Sequence, residues 1–128
     1  KTLDLSKSIA KYGARNLLAW LELTVDGEAE PVSRNLVLFS RPKHLELLDA
    51  KIKTSVKKAG DAYKVTLTSA APALWTWLEM TEVDAVCSTN FVHVHQGQPV
   101  EILVQPNIEL TSNKFKEQMV VKSLIDTY

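Results

Sequence analysis

Trp75 and Trp77 stand two residues apart in the run Ala73-Leu74-Trp75-Thr76-Trp77-Leu78-Glu79. Alternate side chains of a strand share a face, so both indoles project one way and Leu74, Thr76 and Leu78 the other. Two rings on one face offer flat apolar area that complements a pyranose. They equally suit a sandwich interior or a domain interface, where tryptophan buries a large area. His93 and His95 also share a predicted strand face, with Phe91, and such a pair can ligate a metal. A zinc or copper site needs further ligands, however; Cys87 precedes the strand and His44 is remote in sequence, so both histidines are expected to be solvated strand residues. Cys87 is the only cysteine, so it cannot form an internal disulfide, and it reads as a small apolar residue rather than a nucleophile. The 15 Asp and Glu residues are scattered over turns and wet strand faces, the pattern of a solvated surface. A glycosidase needs two carboxylates set roughly 5 to 10 Å apart, and nothing in the spacing singles out a pair. No Ser-His-Asp framework, phosphate-binding glycine loop or cluster of metal ligands is present. The expectation is a chain with no catalytic residue, no metal site and no cofactor.

The elements that would position these residues are strands. Ile52, Thr54 and Val56 alternate with Lys51, Lys53, Ser55 and Lys57, and Tyr63, Val65 and Leu67 alternate with Ala62, Lys64, Thr66 and Thr68. Both segments read as half-buried strands with one wet face. Lys58-Ala59-Gly60-Asp61 between them carries residues that tolerate the positive φ of a short loop, which predicts a hairpin. Val100, Ile102 and Val104 repeat the alternation, and Gln96-Gly97-Gln98-Pro99 supplies a turn back from Phe91-Val92-His93-Val94, which predicts a second hairpin. Ser112 is placed to N-cap one helical turn over residues 113–117, after which residues 119–125 read as a final strand. The first 48 residues differ. Leu17, Ala19, Leu21, Leu23 and Val25 make one apolar face, Leu18 and Trp20 start the other, and residues 36–39 are apolar on both sides. Such strands are covered on both faces for part of their length. They flank Asp26-Gly27, a hairpin signal. Short strands with close turn signals, and a single helical turn near the C-terminus, predict an all-β sandwich of antiparallel strands. The antibody pattern of Cys, Trp and Cys is absent, so composition and spacing do not specify the sandwich's topology.

Several segments fall in the order of a known family. They are Val32-Ser33-Arg34-Asn35, Pro42-Lys43, Val65-Thr66-Leu67-Thr68-Ser69, residues 73–79, Ser88-Thr89-Asn90-Phe91, Gly97-Gln98-Pro99-Val100 and Ser123-Leu124-Ile125-Asp126-Thr127-Tyr128. In that order and at those distances the chain resembles the C-terminal immunoglobulin-like domain of β-mannosidases of glycoside hydrolase family two. The resemblance runs from about Val25 to the last residue. It implies an immunoglobulin-like β-sandwich at 49–128, with 1–48 as a β-hairpin segment that ends the preceding immunoglobulin-like domain or adds strands to this one. Trp77 falls on a tryptophan common in the family, which implies core packing. Trp75 falls where the family is smaller or variable, so it is the candidate sugar-stacking residue and the ring expected to be more exposed. Ser88-Thr89-Asn90-Phe91 replaces the usual Ser-Asp-Asn-Phe, and Val92-His93 often gives way to Asp-Leu in the family. Asn90 is expected to satisfy loop backbone groups, and Phe91 to anchor the loop in the core. Family-two enzymes carry their two glutamates in a (β/α)8 barrel, the acid/base glutamate following an asparagine. This chain has no Asn-Glu dipeptide and no βα alternation.

Composition agrees with a fragment of a larger protein. The 128 residues suffice for one domain with a sizeable core. Fifteen basic residues balance 15 acidic ones, leaving no electrostatic footprint for nucleic acid or an anionic membrane. No apolar run approaches the roughly 20 residues of a membrane span, so a soluble chain is expected. It opens Lys1-Thr2-Leu3-Asp4 without a signal region, as a piece of a longer chain would. The expected function is that of a non-catalytic domain of a glycosidase whose parent hydrolyses terminal β-D-mannosyl residues. Its expected partners are the parent's other domains and, through the parent, a carbohydrate substrate. The rivals are an independent carbohydrate-binding module and an assembly domain that pairs through strand edges. The apolar hairpin in 1–48 either folds onto the sandwich or meets a second copy in a homodimer.

Overall fold

A computed structural model describes residues 2–128. They form two compact units, one ending at Glu46 and the other spanning Leu47–Tyr128. In the first, helix α1 (Ser6–Tyr12) starts where the Asp4 carboxylate accepts from the Ser6 backbone N–H at 2.9 Å and the Ser6 hydroxyl at 2.6 Å. It stops at Gly13, whose φ of 83° side chains disfavour. Strands β1 (Leu18–Leu23) and β2 (Ser33–Leu38) then pair antiparallel, Leu18 opposite Leu38 and Leu23 opposite Ser33. The expected hairpin is there. Leu18, Ala19 and Trp20 are half-buried, while Leu21, Leu23, Val25 and Val32 are exposed. Arg34 holds its tip with ion pairs to Glu22 at 3.0 Å and Glu30 at 3.2 Å. Helix α1 was not expected, because seven residues with only Ser8 and Ile9 half-buried carry too little apolar period to read.

The second unit has two antiparallel sheets. Strands β3 (Lys53–Ala59) and β4 (Ala62–Thr68) form the expected hairpin, and the loop is the two residues Gly60-Asp61, with Gly60 at φ 67°. They continue through β8 (Val100–Pro106) to β6 (Ala85–Cys87), in the order β3-β4-β8-β6. The other sheet is β7-β5-β9, built from β5 (Ala73–Met80), β7 (Val92–Val94) and β9 (Met119–Lys122). Alternate residues of both sheets meet in one core: Tyr63, Val65 and Leu67 of β4, Ile102 and Val104 of β8, Leu78 of β5 and Val94 of β7. Phe115 of helix α2 (Ser112–Gln118) closes one end. It stacks on Tyr63 with ring centroids 4.1 Å apart, while the Tyr63 hydroxyl donates to the buried Leu110 carbonyl at 2.6 Å. Four strands facing three is an all-β sandwich, as the alternation predicted.

Three expectations need correction. Residues 91–94 and 100–104 do not form a hairpin, because β7 pairs with β5 whereas β8 pairs with β4 and β6; the turn at residues 96–99 crosses from one sheet to the other. Helix α2 is capped by Thr111, whose hydroxyl accepts from the Lys114 N–H, and not by Ser112. The last strand stops at Lys122. Ser123 and Asp126 then form a reciprocal capping box, Ser123 N–H donating to Asp126 Oδ2 at 2.6 Å, which turns residues 124–127 into a short 3-10 helix. Among the described residues no helix is long and apolar enough to cross a membrane.

Candidate functional site

Strand β5 buries Ala73, Leu74, Thr76 and Leu78, with Ala73 and Leu78 in the sandwich core, and leaves Trp75 and Trp77 half-buried. Thr76 is completely buried, and its hydroxyl donates to the Ala73 carbonyl at 3.3 Å, so the core position costs no unpaired polar atom. The two indoles therefore share the outer face, as the alternation required. Trp77 is not in the core, contrary to expectation. Both indoles are half-buried, because the inward positions of β5 are taken by smaller side chains.

The pairing of β5 with β7 is irregular. Ala73 lies opposite Val94 and Thr76 opposite Val92, so three steps along β5 match two along β7 and one residue is extra. Trp75 absorbs the irregularity in the left-handed region at φ 45°. Its N–H does not meet a strand carbonyl but donates to His93 Nδ1 at 3.1 Å, which places the imidazole proton on Nε2 in the neutral ring. Burial pushes the His93 pKa below its ordinary value, which preserves that acceptor. The two rings meet edge-on, centroids 5.0 Å apart at 73°.

Two residues before β7, Asn90 continues the pairing with its side chain. Its Oδ1 accepts from the Leu78 N–H at 2.9 Å and its Nδ2 donates to the Leu78 carbonyl at 2.8 Å, so the amide imitates a strand residue. The expectation was that Asn90 satisfies loop backbone groups; it does accept from the Phe91 N–H at 3.1 Å, but its two shorter bonds go to strand β5. Phe91 follows at φ 54°, and the residue is 62% exposed, so it does not anchor the loop in the core. Instead it lies nearly parallel to Trp77, centroids 6.0 Å apart at 21°. Directly across from Trp77 on β9 stands Lys122, whose Nζ reaches Glu79 Oε1 at 3.1 Å, with both side chains about half exposed. Trp75, Trp77, Phe91, His93, Glu79 and Lys122 thus gather on the outer side of the three-stranded sheet. Phe91 and His93 alternate just as Trp75 and Trp77 do. That shared period was the sequence signal for the whole face, but exposure of Phe91 could be read only from how Asn90 holds the loop.

Other candidate chemistry stays dispersed. His95 Nδ1 lies 2.8 Å from the Gln96 carbonyl, and among the described residues no three His, Cys, Asp or Glu side chains converge as a metal site would require. Cys87 is half-buried and burial pushes its thiol pKa up, away from the thiolate that would attack. The Asp4 and Asp49 carboxyls are held below the ordinary range by hydrogen bonds from Ser6 and from the Lys51 N–H, the wrong direction for a general acid. A cleft of about 530 Å³ beside the β3–β4 turn is lined in part by Asp61, Gln105 and Glu109, and Gln105 Nε2 donates to Asp61 Oδ2 at 2.9 Å.

A family model for the Ig-fold domain of mannosidases (Ig_mannosidase) aligns with residues 47–127. A comparison with curated proteins found no match.

Proposed function

The chain belongs to the mannosidase Ig-fold domain family, and from that premise we propose that it is the non-catalytic C-terminal sandwich domain of a β-mannosidase-like glycoside hydrolase. The parent, in this reading, removes terminal β-D-mannosyl residues with two carboxylates that lie outside this chain. The domain packs against its neighbours and stabilises the enzyme. The observation that carries the reading is the family match over the very residues that form the second unit, together with the character of its interior. Among the described residues, the buried polar side chains are Thr76 and Ser123, both hydrogen-bonded, and the ion pairs sit on exposed side chains. A core of that kind serves stability.

We assign the residues before 47 to the end of the preceding domain, two residues short of the boundary expected at 48. The exposed Leu21, Leu23, Val25 and Val32 of its hairpin are an apolar face that the rest of that domain would cover. Homodimerisation through the same strands is the competing assignment, and the mass of the chain in solution separates the two. The test of the main reading is a deletion of residues 47–128 from the parent enzyme. The expected result is a clearly lowered melting temperature, with unchanged KM for an aryl β-mannoside in the enzyme that remains folded. A truncated parent as stable as the intact one overturns the packing role.

A further inference from the structure

The outer side of the β7-β5-β9 sheet combines features that a merely structural face does not need. Three non-glycine residues among those described have positive φ, and two of them, Trp75 and Phe91, are aromatic residues of this one face. Bulky side chains in that region cost on the order of 1–3 kcal/mol each, and such strain persists where the surroundings impose it, often at binding sites. Here the surroundings are specific: His93 Nδ1 takes the Trp75 N–H, and the Asn90 side chain grips Leu78 on both backbone atoms. The outcome is the opposite of hydrophobic burial, with the Phe91 ring turned out to solvent beside Trp77. Directly next to the rings, by strand register, is the half-exposed Lys122–Glu79 pair.

We propose that this face is a sugar-binding site in which Phe91 and Trp77 pack against the apolar face of a neutral pyranose while Lys122 and Glu79 hydrogen-bond its hydroxyls. Trp75, one alternate position back along β5, extends the row of rings for a second sugar unit. The ligand class follows from the mixture of groups. Rings alone would suit another protein surface, but closing a protein over this face would strip water from a charged pair whose hydrogen-bonding needs an apolar cover cannot meet. Sugar hydroxyls replace that water group for group, and the pyranose C–H face meets the rings. One basic and one acidic side chain leave the face without net charge, which suits a neutral glycan and not a polyanion. The choice of a mannosyl sugar, and only that choice, rests on the parent reading above.

The test is titration of the ¹⁵N-labelled 128-residue chain with methyl β-D-mannoside and with a β-1,4-linked mannobiose, up to about 50 mM as weak single-sugar affinity requires. Saturable shifts are expected at the Trp77 indole N–H, around Phe91 and at Lys122, tighter for the disaccharide. Phe91→Ala removes an exposed ring, so the variant should fold, as a cooperative melt will show, and should bind at least about tenfold more weakly. Lys122→Met should weaken binding with the stacking shifts retained. Binding of a glucoside or galactoside at the same residues, with no response to mannosides, supports the site and overturns the choice of a mannosyl sugar. Absence of saturable shifts with all of these sugars overturns the proposal, as does binding that Phe91→Ala leaves unchanged. Loss of association with the remainder of the parent enzyme on Phe91→Ala, without sugar binding, overturns it too and assigns the rings to domain packing.

Discussion

Asn90 shows how one side chain sets a surface. By pairing with both backbone atoms of Leu78 it ends the loop two residues before β7 and obliges Phe91 to turn outward. Asn90→Ala leaves a partly buried N–H and carbonyl without partners and should destabilise the chain by about 1–3 kcal/mol in urea melts. Phe91→Ala, lacking that burial, should cost clearly less in the same melts. His93 makes a second prediction. Its folded-state pKa is depressed by burial below the ordinary 6.5, so around and below that value the unfolded chain binds more protons than the folded one. Its contribution to stability is therefore full above about pH 6.5 and is lost as pH falls through the folded-state value. Protonation at Nδ1 also removes the acceptor of the Trp75 N–H. Stability measured from pH 8 down to 5 should fall, and His93→Gln should flatten that slope; an equal slope in the variant places the titration elsewhere. At this scale the sequence showed which residues share a face, since Trp75, Trp77, Phe91 and His93 all obey period two. It did not show which face is the core. Large aromatic side chains are usually inside, and here Ala73 and Leu78 are the residues of β5 in the core instead.

Elements were legible where a local signal also specified the partner. The β3–β4 hairpin followed from alternation on both sides of Lys58-Ala59-Gly60-Asp61, and its register shortens the loop to Gly60-Asp61. The same alternation in residues 91–94 and 100–104 misled, because period two reports a face and says nothing about which strand lies alongside. A turn that carries the chain between sheets looks like one that reverses it within a sheet. The end of β9 had a readable sign that went unused: Ser123 and Asp126 stand at the spacing of a capping box, which stops a strand and starts a helical turn. Helix α2 matters because it delivers Phe115 to the core against Tyr63. Phe115→Ala should cost about 3–5 kcal/mol, the range for a truncated buried aromatic. Thr111→Ala, which removes only the cap, should cost about 1 kcal/mol. Comparable losses for the two variants in guanidinium melts would show that the helix, and not the ring, is the limiting contribution.

Over the whole molecule, the all-β class and the family were legible because ordered short segments survive where single residues do not, and the family model aligns with residues 47–127. The first 48 residues were the harder part, since a hairpin apolar on both faces says that something covers it without saying what. Deleting residues 1–46 should leave a soluble chain that unfolds in one cooperative transition, as expected of a unit with its own core. An insoluble or non-cooperative product would show that the hairpin completes the sandwich. The central claim is that this chain is the sandwich of a mannosidase and not its catalytic part. The most direct measurement is turnover of an aryl β-mannoside by the purified 128-residue chain beside its intact parent. The account predicts hydrolysis by the parent and none above blank by the chain, and hydrolysis by the chain alone would contradict it.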